Sequence, residues 1–253
     1  MIQTKPIMKN EMKGVILVGG LGTRMGPLTL IANKHLLPVY DQQMIMFPLK
    51  TLINSGVNNI VIVSDKQFLG DFCKLLGSGQ NLGASLSYNV QDNPKGGIAD
   101  ALKTTKEFVG RNNFVVILGD NIFEDDLDFG LEEGKHAKVF VKEVADARQF
   151  GTAEIKDGKI VNILEKSNKP PSNMAVLGAY AYTPHVFSVI ENLSPSERGE
   201  LEITDVNNYY AKKGGLCYQK ISGFWADAGT FDGLLESSIW RKSKAKIFFK
   251  PGI

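Results

Sequence analysis

Cysteine is scarce: Cys73 and Cys217 stand far apart, form no CxxC pair and cannot build a disulfide framework. That usage suits a reducing compartment, and a cytoplasmic location is expected. The three histidines, His35, His136 and His185, show no metal-binding spacing. No apolar run approaches the ~18 residues of a membrane helix. Residues 1–22 pair lysines with an apolar stretch, but the stretch is short and Gly-Thr-Arg follows where a small-residue cleavage site would stand. Excess charge is missing too. With 29 Lys+Arg against 27 Asp+Glu, the net +2 offers no broad basic field for nucleic acid. Neither a membrane nor a nucleic-acid partner is expected.

Two familiar phosphate loops are also missing. Gly134-Lys135 and Gly158-Lys159 are followed by His136 and Ile160, so no Walker loop is present. Gly20 and Gly22 begin a dinucleotide fingerprint, but Met25 occupies the place of its third glycine. What is present is "KGVILVGGLGTRMGPLT", residues 13–29, an apolar run emptying into bare backbone. Glycines there let N–H groups approach a ligand closely, and such amides form a nest for phosphate oxygens. Read alone, the loop is either a plain strand-to-helix turn or a phosphate site. Arg24 and Lys34, two cations closely downstream, favour a polyphosphate.

Strand-like runs (14–18, 59–63, 85–91, 113–118, 137–141) alternate with helical patterns (44–55, 66–76, 97–109, 126–133). The alternation predicts a mostly parallel sheet covered by helices, with ligands at the carboxyl ends of its strands. Leu118-Gly119-Asp120-Asn121 lies at one such end, where Asp120 is either a helix cap or a crevice carboxylate. After residue 145 the rhythm changes. Asp157-Gly158 predicts a type I′ hairpin, and Thr230 an N-cap for a last helix with Phe231, Leu234, Leu235 and Ile239 on one face. The expected division is an extension at 1–11, one domain at 12–242 and a tail at 243–253. Within the domain the pattern divides at about residue 145, into parts covering about 12–145 and about 146–229.

Gly19-Gly20-Leu21-Gly22-Thr23-Arg24, followed by Asn33-Lys34-His35-Leu36-Leu37-Pro38, resembles the sugar-nucleotide pyrophosphorylases, a nucleotidyltransferase family. The likeness continues through Gln91, Gly97-Ile98-Ala99, Gly119-Asp120-Asn121, Phe150-Gly151, Glu165-Lys166, Arg198 to Asp205 and Trp225 to Thr230. It is strongest toward the glucose-1-phosphate thymidylyltransferases and spans Met12 to Trp240. It implies an α/β, Rossmann-like nucleotidyltransferase fold, and a reaction of a nucleoside triphosphate, dTTP or UTP, with a sugar 1-phosphate. Gly26, Ser167, Ala226 and Ala228 depart from the usual pattern, which touches substrate preference more than reaction class.

The resemblance also implies roles: the part at about 12–145 is expected to bind the nucleotide, and the added β/α part at about 146–229 the sugar. Gly19, Gly22, Thr23, Arg24, Lys34, Gln91, Gly97 and Asp120 are expected to bind the nucleotide, with Arg24 and Lys34 as the catalytic pair. Asn121, Gly151, Glu165, Lys166 and Val176 are expected at the sugar. Asp120 and Asp227 are the expected Mg²⁺ ligands. The Gln91 amide matches the O4 and N3–H edge of thymine or uracil, although glutamine also pairs with adenine. A homo-oligomer, dimer or tetramer, is implied as well. Longer members carry C-terminal helices linked to a second nucleotide site. The expectation here is product inhibition at the active site alone, with Ile247, Phe248 and Phe249 of the tail seeking cover.

Overall fold

A computed structural model describes residues 12–245; the expected extension at 1–11 and the apolar cluster Ile247 to Phe249 lie outside the described residues. In chain order the elements are β1 (Lys13–Leu17), β2 (Pro38–Val39), β3 (Gln42–Gln43), α1 (Met46–Asn54), β4 (Asn59–Asp65), α2 (Leu69–Leu76), β5 (Ser85–Gln91), α3 (Gly97–Lys103), α4 (Lys106–Val109), β6 (Phe114–Leu118) and β7 (Asn121–Phe123). They continue as β8 (Ala137–Glu143), β9 (Gly151–Lys156), β10 (Lys159–Glu165), β11 (Met174–Tyr182), α5 (Val186–Glu191), α6 (Ile203–Lys212), β12 (Leu216–Lys220), β13 (Trp225–Asp227) and α7 (Phe231–Lys244). Short 3₁₀ turns cover Thr23–Leu30, Lys34–Leu36 and Gln80–Leu82.

The main sheet is mixed. Its β6-β1-β4-β5 part is parallel throughout, β11 joins β6 antiparallel, and β8 to β10 and β12 extend it beyond β11. The alternation of side chains along each strand fills both faces. Val15, Leu17, Val61 and Val63 enter one apolar layer, while Ile16, Val18, Ile60 and Ile62 enter the other. Because β11 lies beside β6, the strands that follow residue 145 are continuous with the first sheet. No helix among the described residues is long and apolar enough to cross a membrane.

The hairpin forms as expected, with Asp157 and Gly158 both at positive φ (49° and 72°). The helix expected at 126–133 does not form. Leu127 and Phe129 are both buried two residues apart, an extended pattern, and the Asp128 carboxylate accepts from Gly130 N–H and Lys138 Nζ, each at 2.9 Å. The helix expected at 97–109 is broken in two. Thr104 and Thr105 hydroxyls donate back to Ala101 and Leu102 carbonyls, a local bond that competes with the helix ladder. Thr230 does cap α7, accepting from Gly233 N–H at 3.1 Å. The apolar face of that helix is different from the one expected. Leu234 packs inward near Phe47 and Trp240, whereas Phe231, Leu235 and Ile239 are exposed.

Candidate active site

The loops at the carboxyl ends of β1, β5 and β6 open onto a cavity of about 430 Å³ that continues under β10, β11 and α6. Every residue expected at the nucleotide, sugar or metal lines it: Gly19, Gly22, Thr23, Arg24, Lys34, Gln91, Gly97, Asp120, Asn121, Gly151, Glu165, Lys166, Val176 and Asp227.

Four charges interlock at its centre. Arg24 Nη1 donates to Asp227 Oδ2 at 2.8 Å, and Lys34 Nζ donates to Asp120 Oδ2 at 2.5 Å. The two pairs differ in burial. The Lys34 and Asp120 side chains are 13% and 7% exposed, but that of Arg24 is 51% exposed. Asp120 is followed by strand β7, not by a helix, so it is no helix cap. Burial alone would raise its pKa; Lys34, His35 and Arg24 together outweigh that and hold it well below the usual carboxylate range. Asp227 has its pKa raised, first by burial and then by the nearby Asp120 charge, despite Arg24. A Cβ at Gly229 would stand 2.5 Å from Asp120 Oδ2, 2.9 Å from Asp227 Oδ1 and 3.1 Å from Arg24 Nη2. That cradle needs a residue without a side chain.

Beneath it, Asn33 ties the base of the site together. Its Nδ2 donates to Val18 O, and its Oδ1 receives His35 N–H and faces His35 Nδ1. The His35 ring is buried against Gly119, and burial, aided by Lys34, pushes its pKa down to about 3. The ring is therefore neutral at working pH.

Gln91 ends β5 with its amide beside Gly19. Its Nε2 donates to Asn93 O at 2.9 Å. Gly97 has φ +84°, and a Cβ there would meet Leu201 O at 2.7 Å, so the loop that leads into α6 requires glycine here. The same loop is fastened by Leu201 N–H to Gly96 O and Ala99 N–H to Leu201 O.

At the far end, Glu165 Oε2 accepts from Thr204 Oγ1 at 2.5 Å, with Lys166 Nζ and Arg198 Nη2 at 3.9 and 3.8 Å from its other oxygen. Lys166 holds φ +43°, a strained backbone for a lysine, while its N–H donates to Phe150 O. Gly151 faces Glu165 and Thr204. Val176, at the irregular register of β11 against β8, lies on the wall and is not simply core. Asn121 is more committed than expected. Its Oδ1 accepts from Gly178 N–H and Trp225 Nε1, and its Nδ2 donates to Asp120 Oδ1, which fixes the carboxylate. Sequence reasoning gave no role to Tyr180, Thr204, Asn207 or Trp225, all of which line this end. Thr204 and Trp225 lie within the Arg198–Asp205 and Trp225–Thr230 motifs, whereas no motif contains Tyr180 or Asn207.

The profile of the nucleotidyl transferase family matches residues 13–241. A glucose-1-phosphate thymidylyltransferase of Neisseria meningitidis is 40% identical over 90% of this chain and 81% of its own. That of Mycolicibacterium smegmatis is 39% identical with the same coverage. A solved Bacillus anthracis structure assigned as a glucose-1-phosphate thymidylyltransferase, in complex with a sucrose, superimposes with TM-score 0.85 at 47% identity, covering 90% of this chain and 94% of that one. A UDP-glucose pyrophosphorylase complexed with UDP-glucose follows at TM-score 0.80 and 26% identity, covering 92% and 99%. The chain belongs to the nucleotidyl transferase family.

Proposed function

We propose that this chain joins dTTP and glucose 1-phosphate into dTDP-glucose with release of pyrophosphate. One observation carries the reading. Two cations and two carboxylates interlock in one cavity, which is also lined by Gln91 and Gly97 and by Glu165, Lys166 and Val176.

A sugar phosphate oxygen is already an anion at neutral pH, so the attack needs no general base. Its lone pair forms the new P–O bond at the α-phosphorus in line with the departing pyrophosphate oxygen, which leaves with the bonding pair. Catalysis is positioning plus electrostatics. Arg24 offers a fixed fork to the leaving phosphates, and Lys34 a point charge to the α- or β-phosphate. The loop of Gly19, Gly22 and Thr23 supplies amides. Gln91 and Gly97 meet the base edge, Glu165 the sugar hydroxyls and Lys166 the sugar phosphate, with Gly151, Val176 and Asn121 walling the hexose.

Asp120 and Asp227 suit Mg²⁺: one buried and one partly buried carboxylate face one side-chain-free cradle at Gly229, and Asp227 has its pKa raised beside Asp120. Asp120 and Asp227 would hold the ion, and the chemistry it would supply is withdrawal of charge from phosphate oxygens. In the free protein Arg24 and Lys34 supply the positive charge these carboxylates need.

Pyrophosphate release should be measured over a panel of triphosphates and sugar 1-phosphates, with Mg²⁺ and with excess EDTA. The reading expects greatest kcat/KM for dTTP with glucose 1-phosphate and no turnover in EDTA. A preference for UTP would move the protein toward the UDP-glucose enzymes, since Gln91 pairs with uracil as well as thymine. Turnover unaffected by EDTA would overturn the metal assignment.

A further inference from the structure

Asn33 stands immediately before Lys34 and is 3% exposed. Its amide has one consistent orientation. Nδ2 donates to Val18 O at 2.9 Å, a carbonyl that can only accept. Oδ1 accepts from His35 N–H at 2.9 Å, a backbone group that can only donate. His35 Nδ1 lies 2.7 Å from the same Oδ1. An amide oxygen cannot donate, so in the neutral ring Nδ1 carries the proton.

These bonds join segments that are remote in sequence. Val18 is the last residue before the glycine loop, and residues 19–32, which include Gly19, Gly22, Thr23 and Arg24, lie between the two ends that Asn33 ties. That stretch has little regular structure of its own, because its 3₁₀ turn is interrupted at Gly26, with φ +44°. Gly119 packs against both ends: a Cβ there would stand 2.6 Å from His35 Cδ2 and 2.7 Å from Val18 Cγ1. Gly119 precedes Asp120, whose carboxylate accepts from Lys34 Nζ. The glycine loop, Lys34 and Asp120 thus leave one junction, and the Asn33 amide bonds across it.

We infer that Asn33 is a positioning residue for the proposed transfer, closing the phosphate loop onto the segment that carries Lys34 without itself touching substrate. The inference rests on the proposed reaction and deepens it. The side chain does two separable things. By accepting from His35 N–H it caps the short turn Lys34–Leu36, which a serine hydroxyl also does. By donating to Val18 O it closes the loop, and a serine hydroxyl ends one bond short of the amide nitrogen that makes this contact. Catalysis by position tolerates little displacement of the groups that hold the phosphates. Loss of the second bond should therefore be felt in turnover even where the first is kept.

The test measures kcat, the KM for glucose 1-phosphate and urea unfolding in the wild type, Asn33→Ala and Asn33→Ser. It also reads the tautomer of His35 in the wild type by ¹⁵N NMR, which needs only 3 histidines to be assigned. The wild type should show the Nδ1–H tautomer. Asn33→Ala should lower the urea midpoint, and Asn33→Ser should recover most of that loss, since serine restores the cap. In both variants kcat should stay at least about tenfold below the wild type, with the KM for glucose 1-phosphate changed by less than about twofold. A kcat that recovers together with stability in Asn33→Ser would overturn the inference and leave Asn33 a cap only. An unchanged kcat in folded Asn33→Ala, or an Nε2–H tautomer in the wild type, would overturn it as well. If Asn33→Ala does not fold, Asn33→Ser decides against the wild type alone. No wild-type turnover with any triphosphate and sugar 1-phosphate would defeat the proposed reaction itself, whereas normal wild-type turnover with the Nε2–H tautomer would defeat only the role of Asn33.

Discussion

The phosphate end and the hexose end of the cavity are built in different ways. At the phosphate end, Arg24, Lys34, Asp120 and Asp227 neutralise one another in two ion pairs, and the residues come from loops at the ends of the parallel strands and from the short β7–β13 ribbon. At the hexose end, Glu165, Thr204, Tyr180 and Asn207 come from antiparallel strands and one helix; Thr204 and Tyr182 hydroxyls hold Glu165 and Asn207, and Lys166 and Arg198 approach Glu165 only to 3.9 and 3.8 Å. The first end is a reservoir of charge aimed at phosphates. The second is a set of separately held contacts that can be altered one at a time. Turnover should therefore depend on the first, and the choice of sugar on the second.

The largest effect should follow from breaking the buried pair. Asp120→Asn leaves the Lys34 charge without its partner, and removing one member of a buried pair costs about 3 kcal/mol of stability. It also removes a preorganised charge at the reacting phosphates, which should lower kcat about a hundredfold or more. The exposed pair gives the contrast: Arg24→Ala should lower unfolding free energy by less than about 1 kcal/mol. Urea titrations with pyrophosphate assays would check both, and equal losses of stability from the two variants would erase the distinction drawn from burial.

Protons offer a second way to separate the ends. The unfolded chain protonates His35 below its ordinary pKa near 6.5, whereas the folded site holds it neutral down to about 3. Its contribution is thus complete above pH 6.5 and is lost as pH falls toward 3. Between pH 7 and pH 4 the wild type should lose about 3 kcal/mol more stability than His35→Gln. Parallel curves for the two proteins would show that the ring takes up a proton in the folded state.

Arg24→Lys keeps the charge and loses the fork, so kcat/KM should drop about tenfold, or 1.4 kcal/mol, with every sugar 1-phosphate alike. A loss confined to one sugar would contradict the division of labour. Smallest of all, Thr204→Val removes the hydroxyl that fixes Glu165. The KM for glucose 1-phosphate should rise about fivefold, near 1 kcal/mol, with the KM for dTTP unchanged.

The same division decides what could be read in the sequence. Gly19 to Arg24 and Asn33 to Pro38 are contiguous, and a buried parallel strand announces both its apolar run and the loop at its end. Asp120 was legible for the same reason. Asn207 and Tyr180 were not, because their placement depends on β11 inserting beside β6 and on α6 crossing under β10, pairings that no local pattern encodes. The misplaced helix at 126–133 has a related cause: Leu127 and Phe129 are held by the core and Asp128 by Lys138, and those tertiary contacts override local preference. On α7, periodicity found an apolar stripe but could not say that the small residues Gly233 and Ser237 face inward.

The central claim is that this cavity works by position and charge, with no bond between a side chain and phosphorus. Lys34, a buried amine held among the phosphate-binding groups, is the residue that a covalent mechanism would use. The stereochemical course at the α-phosphorus decides the matter: a single α-thio diastereomer of dTTP is turned over with glucose 1-phosphate, and the configuration of the product is read by ³¹P NMR. One direct in-line transfer predicts inversion. Retention would require two successive displacements through a nucleotidyl-enzyme and would contradict the account.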